Sequence, residues 1–242
     1  MRLLKVCLLA AVCLAIPMAA TADVIITEIV DGTLPGGVPK FLELTNTGSS
    51  AVDLSGYCIA NFNGTSTTMG GGEAHVLHGI LQPCESFVIS YENSDVPDTS
   101  VFFDVYGFNA DCMHLGAFWN GDDSLVLYLA DGSGAGGAAT GDGTDATMVD
   151  IYGSIGTDGT GEDWEYVDSY SYRNCNINTA NTTWTAGEWF VAGPNALEGA
   201  DDAEEEQNLL DFTDPGVNCV ESCGGTPVED STWGAIKRQF NN

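Results

Sequence analysis

Short apolar runs, each closed by turn residues, constrain this chain more than any other feature in it. From Val24 onward they read VIITEIV, FLELTN, GYCIANF, SFVISY, VFFDVYGF, SLVLYLA, MVDIYG and YVDSYSYR. Val, Ile, Tyr and Phe dominate them, side chains that fit a pleated surface, and Gly, Asn, Asp or Pro stands between one run and the next. In FLELTN, Leu42 and Leu44 share one face while Glu43 points to the other, the period of two of a half-buried strand. Helical spacing of apolar residues does not compete until the end of the chain. Many short strands with turns between them predict an all-β, antiparallel sandwich or barrel, and Val24 to about Leu197 suits one such domain.

The first residues read differently. Arg2 and Lys5 precede an apolar stretch from Val6 to Ile16, then Pro17 and the small-residue site Ala20-Thr21-Ala22. This is the pattern of a secretory signal peptide over residues 1–22, cut before Asp23. The stretch is shorter than the roughly 20 apolar residues a membrane span needs, and the mature chain has no longer one. The expected location is therefore outside the cytoplasm, secreted or associated with the cell envelope, in the periplasm or on the outer surface.

Six cysteines follow the leader: Cys58, Cys84, Cys112, Cys175, Cys219 and Cys223. In an exported chain an even number of cysteines suggests disulfides, but spacing alone does not choose the partners. No CxxC occurs that would favour zinc. Cys219 and Cys223, near the end, are placed to staple the tail to the body.

Charge limits the partners. The leader carries two of the six basic residues and none of the 35 acidic ones, leaving four against 35 and a formal charge of −31. Only Lys40, Arg173, Lys237 and Arg238 remain positive, so nucleic acid, which needs clustered Lys and Arg, is not an expected partner. Such acidity keeps a surface solvated, and it also suits capture of a hard cation by carboxylate oxygens.

The order of motifs is more specific than any one of them. IITEIVDGT leads to KFLELTNTGSSAVDLSGYCIA, then WNGDDSLVLY, MVDIYGSIGTDGTGEDW, YSYRN and AGEWFV. This order resembles that of bacterial lamin-tail domains, the immunoglobulin-like sandwiches found on secreted proteins and on the tails of nuclear lamins. The resemblance spans residues 24 to about 198 and is most specific in LELTNTGSSAVDLSGY and in VDIYGSIG with Trp164, Arg173 and Trp189. It implies a lamin-tail-like sandwich over residues 23–198 and a non-catalytic module. The glycine-rich stretch after Asp131 is longer than is usual for such domains, and the cysteines are not a general feature of them.

Two loops, NGTSTTMGGGEAH and DGSGAGGAATGDGTDAT, read as flexible glycine-rich insertions. Residues 199–230 read as an acidic linker with little to bury, carrying Cys219 and Cys223. Residues 231–242 form a short amphipathic segment in which Trp233, Ile236 and Phe240 fall at i, i+3 and i+7 beside Lys237 and Arg238. That segment is a candidate for docking on the acidic body, for binding a partner groove, or for surface retention.

Catalytic signatures are sparse. The histidines are His75, His78 and His114, with no HExxH spacing, and no GxSxG elbow occurs. Asp122 and Asp123 in NGDDSLVLYL read as turn residues that accept backbone N–H bonds where a buried strand begins, with Asn120-Gly121 supplying positive φ. Arg173 reads as the partner of a carboxylate. Asp142 and Asp145 in GDGTDAT are the candidate calcium ligands, since carboxylates separated by glycine can wrap such an ion together with carbonyl oxygens. TDGTGED is a weaker version. The expected function is an exported, non-catalytic binding or surface-attachment module for a cell-surface or extracellular ligand. A calcium-dependent adhesin and a secreted hydrolase with an unrecognised site are the competing classes.

Overall fold

A computed structural model describes residues 24–91, 98–113 and 119–223. The signal-peptide reading, His114 and the Trp233, Ile236 and Phe240 segment lie outside the described residues.

The strands, in chain order, are β1 (Val24–Leu34), β2 (Val38–Asn46), β3 (Val52–Asp53), β4 (Tyr57–Phe62), β5 (His75–Val76) and β6 (Ile80–Leu81). They continue with β7 (Ser86–Tyr91), β8 (Cys112–Met113), β9 (Ser124–Leu129), β10 (Met148–Tyr152), β11 (Tyr170–Arg173) and β12 (Trp189–Val191). One sheet runs β12-β11-β1-β2-β7-β8 and faces a second, β10-β9-β4-β5, while β3 and β6 pair separately. All pairings are antiparallel except β7 with β8. The expected antiparallel, immunoglobulin-like sandwich is therefore the fold.

Alternation along the strands places the core between the sheets. Ile26, Ile29, Leu42 and Leu44 from one sheet meet Ile59, Leu125 and Leu127 from the other. Tyr152 sits at the centre, its ring edge-on to Trp164, Tyr166, Trp184 and Trp189 with centroids 4.8–6.3 Å away. Its hydroxyl donates to Trp164 O at 2.8 Å and lies 2.8 Å from Ser171 Oγ, which satisfies the one polar atom such a ring brings inside.

VFFDVYGF, read as a strand from its β-branched and aromatic residues, instead opens with a helix, α1 (Val101–Tyr106). Its ends explain why. Ser100 Oγ accepts from Phe103 N at 3.0 Å, and Gly107 closes the helix in the left-handed region with φ 76°. Phe102 and Val105 then share one buried face.

The acidic stretch read as linker is also ordered. Asp202–Phe212 forms α2, capped by Asp201, whose side chain accepts from Glu204 N at 3.1 Å. Asp202, Glu204 and Glu205 lie in the first turn, where the helix dipole favours them, and Leu209 is buried against β1 and α1. The composition is a solvated face, and one apolar contact row is enough to dock it.

The sandwich is thus covered on both outer faces. Helices α1 and α2 and the strap of residues 213–223 lie on the six-stranded sheet, where Phe41, Val88, Phe102, Leu197 and Leu209 pack together. The glycine-rich loop covers the four-stranded sheet, with Ala138 and Ala139 fully buried against Cys58, Phe62, Val126 and Tyr128. Instead of flexible insertion, this loop is packed framework. Gly132 and Gly137 have no room for a Cβ, because Ala138 and Ala130 carbonyls already occupy that space. Among the described residues no helix is long and apolar enough to cross a membrane.

Candidate binding surface

Most polar residues singled out in the sequence are engaged in holding the fold. Arg173, on β11, reaches Asp150 on β10 with Nη2–Oδ1 at 2.9 Å and lies over the Trp189 ring, 4.8 Å from its centroid. Asp150 also accepts from Ile26 N and Asn181 N, so one carboxylate ties both sheets and a loop. Burial pushes its carboxyl upward, against the pull of Arg173. The expectation that Arg173 pairs with a carboxylate matches this arrangement.

Asp123 accepts from Asn120 N and Gly64 N, both at 2.9 Å, and is pushed up to about 6, chiefly by burial. It caps the turn before β9. Gly121 does not take the expected positive φ. Its glycine is required because a Cβ would overlap the backbone of Tyr166 and Val167, while its N–H donates to Asp31 Oδ2 at 2.9 Å. Asp31 in turn forms a buried ion pair with Lys40. Sequence reading missed this pair, because the two sit on opposite arms of the β1–β2 hairpin and meet only through its register, Asp31 opposite Lys40.

In the glycine-rich loop, Asp145 accepts from Ser133 N, Ser133 Oγ, Thr140 N and Thr140 Oγ1 at 2.5–3.0 Å. Asp142 accepts from Thr144 N and Oγ1, and Asp131 from Thr147 N and Oγ1. These bonds hold all three carboxyls below the ordinary range. Asp142 and Asp145 are brought into one loop, but among the described residues no three His, Cys, Asp or Glu side chains are grouped as a metal ion requires.

His75 and His78 part company. His75 Nε2 lies 3.4 Å from Cys112 Sγ, whereas His78 stands nearer Asp53. Burial, then Asp111, pushes the Cys112 thiol up to about 11, so it is no ready nucleophile. Of the six cysteines, four pair: Cys84 with Cys223 and Cys175 with Cys219. Cys58 and Cys112 are unpaired, a correction to their candidacy. Cys58 faces the cluster under the glycine-rich loop and Cys112 the central core, so the second sheet separates them.

The strap that these disulfides fasten makes the surface that the sequence did not announce. Gly216 N donates to Glu43 Oε2 at 2.8 Å, and Thr27 Oγ1 to Glu43 Oε1 at 2.7 Å. Glu43, the outward residue of LELTN, is thereby buried on the outer face, and burial raises its carboxyl to about 7. Beside it opens a pocket of about 20 Å³, room for one water-sized group, lined among others by Glu28, Tyr172, Asp214, Val217 and Asn218. Phe190 stacks on Tyr172 with centroids 4.7 Å apart and planes 18° from parallel. Phe190 is 40% exposed and Val217 52%, so this acidic pocket has an apolar rim.

A sequence model of the Lamin Tail Domain family matches residues 17–173. Among solved structures, a DUF4876 family protein from Bacteroides thetaiotaomicron is similar at 14% identity with a TM-score of 0.30. That similarity covers 44% of this chain and 42% of the other, so the chain spans less than half the length of that protein. No curated protein matches the chain.

Proposed function

We propose, from the premise that this chain belongs to the lamin tail domain family, that it is an exported, non-catalytic module which attaches to an extracellular or cell-surface ligand. The observation that carries this reading is the division of labour among its side chains. Polar residues that could do chemistry hold the fold together, while exposed apolar residues collect on one face beside an acidic pocket. Exposed apolar groups rimmed by polar ones are the ordinary mark of an interaction surface. Two disulfides suit a compartment outside the cytoplasm. A nucleic-acid partner fits poorly, because Lys40 and Arg173 are both buried in ion pairs.

The test is an adsorption isotherm of residues 23–242 on cell envelopes and on insoluble neutral polysaccharides, with glycan, ester and nucleic-acid hydrolysis assayed in the same tubes. Saturable adsorption without turnover, lost in Phe190→Ser, is the expected result. Turnover that disappears in His75→Ala would replace this reading with a hydrolase.

A further inference from the structure

We propose that residues 231–242 of this chain seat on the outer face of the six-stranded sheet, their apolar stripe on the Phe190–Val217 rim and Lys237 and Arg238 facing Glu28 and Asp214. The inference rests on the attachment reading insofar as both use one surface, and it names that surface's first occupant.

Three observations meet there. The first is where exposed apolar groups lie. Among the described residues the large apolar side chains left exposed are Ile80, Phe108, Phe190 and Val217. Three of these four belong to this face. Phe190 stacks on Tyr172, Tyr172 and Val217 line one pocket, and the Phe108 ring lies 3.8 Å from the point where a side chain on neighbouring Gly216 would begin. The second is charge. Glu28, Glu43 and Asp214 line the same pocket as Arg173, whose guanidinium is taken up by Asp150. Asp214 faces Glu43 as a like charge, so an arriving cation relieves repulsion as well as gaining an attraction.

The third is the tether. Described chain ends at Cys223, which is bonded to Cys84, and Cys84 O accepts from the pocket residue Asn218 at 3.1 Å. The ten positions from Cys223 to Trp233 reach at most about 33 Å when extended. A tether this short supplies an effective concentration on the order of millimolar, so even weak docking is populated. The segment's chemistry is the complement of the face: Trp233, Ile236 and Phe240 at i, i+3 and i+7, with two of the four cations that follow residue 22. This is the pattern of a short helix laid on an apolar groove.

Trypsin reads the proposal directly. Its sites in residues 23–242 are Lys40, Arg173, Lys237 and Arg238, and the first two are only 4% and 2% exposed, so native cleavage reports on the tail alone. Docking predicts cleavage about tenfold slower than in a free peptide of residues 231–242, because proteolysis follows the undocked population. The rate should rise toward the peptide's in about 0.5 M salt, where charges are screened within a few Å, and in Phe190→Ser, Val217→Ser and Asp214→Asn. Ile80→Ser, still more exposed but elsewhere, should leave it unchanged. Cleavage of the native chain at the peptide's rate overturns the proposal, as does equal acceleration by Ile80→Ser. Protection that grows with protein concentration overturns docking within one chain in favour of a second copy's tail. If Phe190→Ser abolishes adsorption while the native tail is cut freely, tail docking fails and the attachment reading stands.

Discussion

Arg173 and Asp150 join the two sheets of the sandwich, Nη2 of the one 2.9 Å from Oδ1 of the other, both side chains closed to solvent. Removing one partner leaves the other charge buried and uncompensated. Asp150→Ala is therefore expected to cost about 3–5 kcal/mol in urea denaturation. The same variant also strands Ile26 N and Asn181 N. A loss under about 1 kcal/mol would mean that the pair contributes little to joining the sheets.

Glu43 makes stability depend on pH. Its carboxyl is raised from 4.5 to about 7, so between those values the folded chain holds a proton that the unfolded chain has lost. This contribution is fully present below about pH 4.5 and is lost as pH rises through about 7. Asp123, raised to about 6, acts in the same direction. Asp131, Asp142, Asp145 and Asp158 are lowered, and their contribution disappears as pH falls below the ordinary Asp range. Thermal midpoints should thus peak at about pH 4–5. In Glu43→Gln the decline between pH 5 and 8 should flatten, and an unchanged slope would remove Glu43 as its source.

Gly121 and Gly56 make a matched pair. A Cβ on Gly121 would overlap the backbone at Tyr166 and Val167, while one on Gly56 would meet nothing within 4 Å. Gly121→Ala should lose at least about 3 kcal/mol, the upper end of overpacking costs. Gly56→Ala should stay within about 0.5 kcal/mol of the wild type, as surface changes do. Equal effects in chemical denaturation would mean that the close approach is not what requires the glycine.

Asp145 is expected to order its loop with or without calcium, since four bonds from Ser133 and Thr140 converge on it. In Asp145→Ala, amide hydrogen exchange over residues 132–147 should speed up in chelator. A saturable calcium-dependent rise in the wild-type melting midpoint, absent in Asp142→Ala with Asp145→Ala, would add a metal to that structural role.

The disulfides close separations of 139 and 44 residues, for which loop entropy sets ceilings of about 5 and 4 kcal/mol. Cys175→Ser with Cys219→Ser should lower stability by about 2–4 kcal/mol. Native alkylation should label half-buried Cys112 before buried Cys58. Labelling of both at one rate would place Cys58 at the surface.

Local pattern determined a good deal. Strands whose inner faces alternate, such as Leu42 and Leu44 on either side of Glu43, were legible because a period of two survives any tertiary context. So were the buried Trp164 and Trp189, which a sandwich of this size must place inside, and the pairing of Arg173 with a carboxylate, which follows from the rarity of cations in so acidic a chain. α1 was hidden because its signals are Ser100 and Gly107 at its ends, while the residues between them favour a strand.

What only the tertiary structure decided is where the second layer goes. Acidic composition from Asp201 to Asp211 says that one side of a segment faces water, but not that Leu209 finds a surface on the other. Glycines after Asp131 allow flexibility, and become packed framework only because Ala130 and Ala138 carbonyls approach them. Glu43 reads as a solvent-facing strand residue, and is buried because two disulfides draw a strap over it from more than 170 positions away in the chain. Periodicity reports which face of an element is apolar. Which distant segment covers that face depends on long-range packing, and that information is spread over contacts the linear sequence does not put side by side.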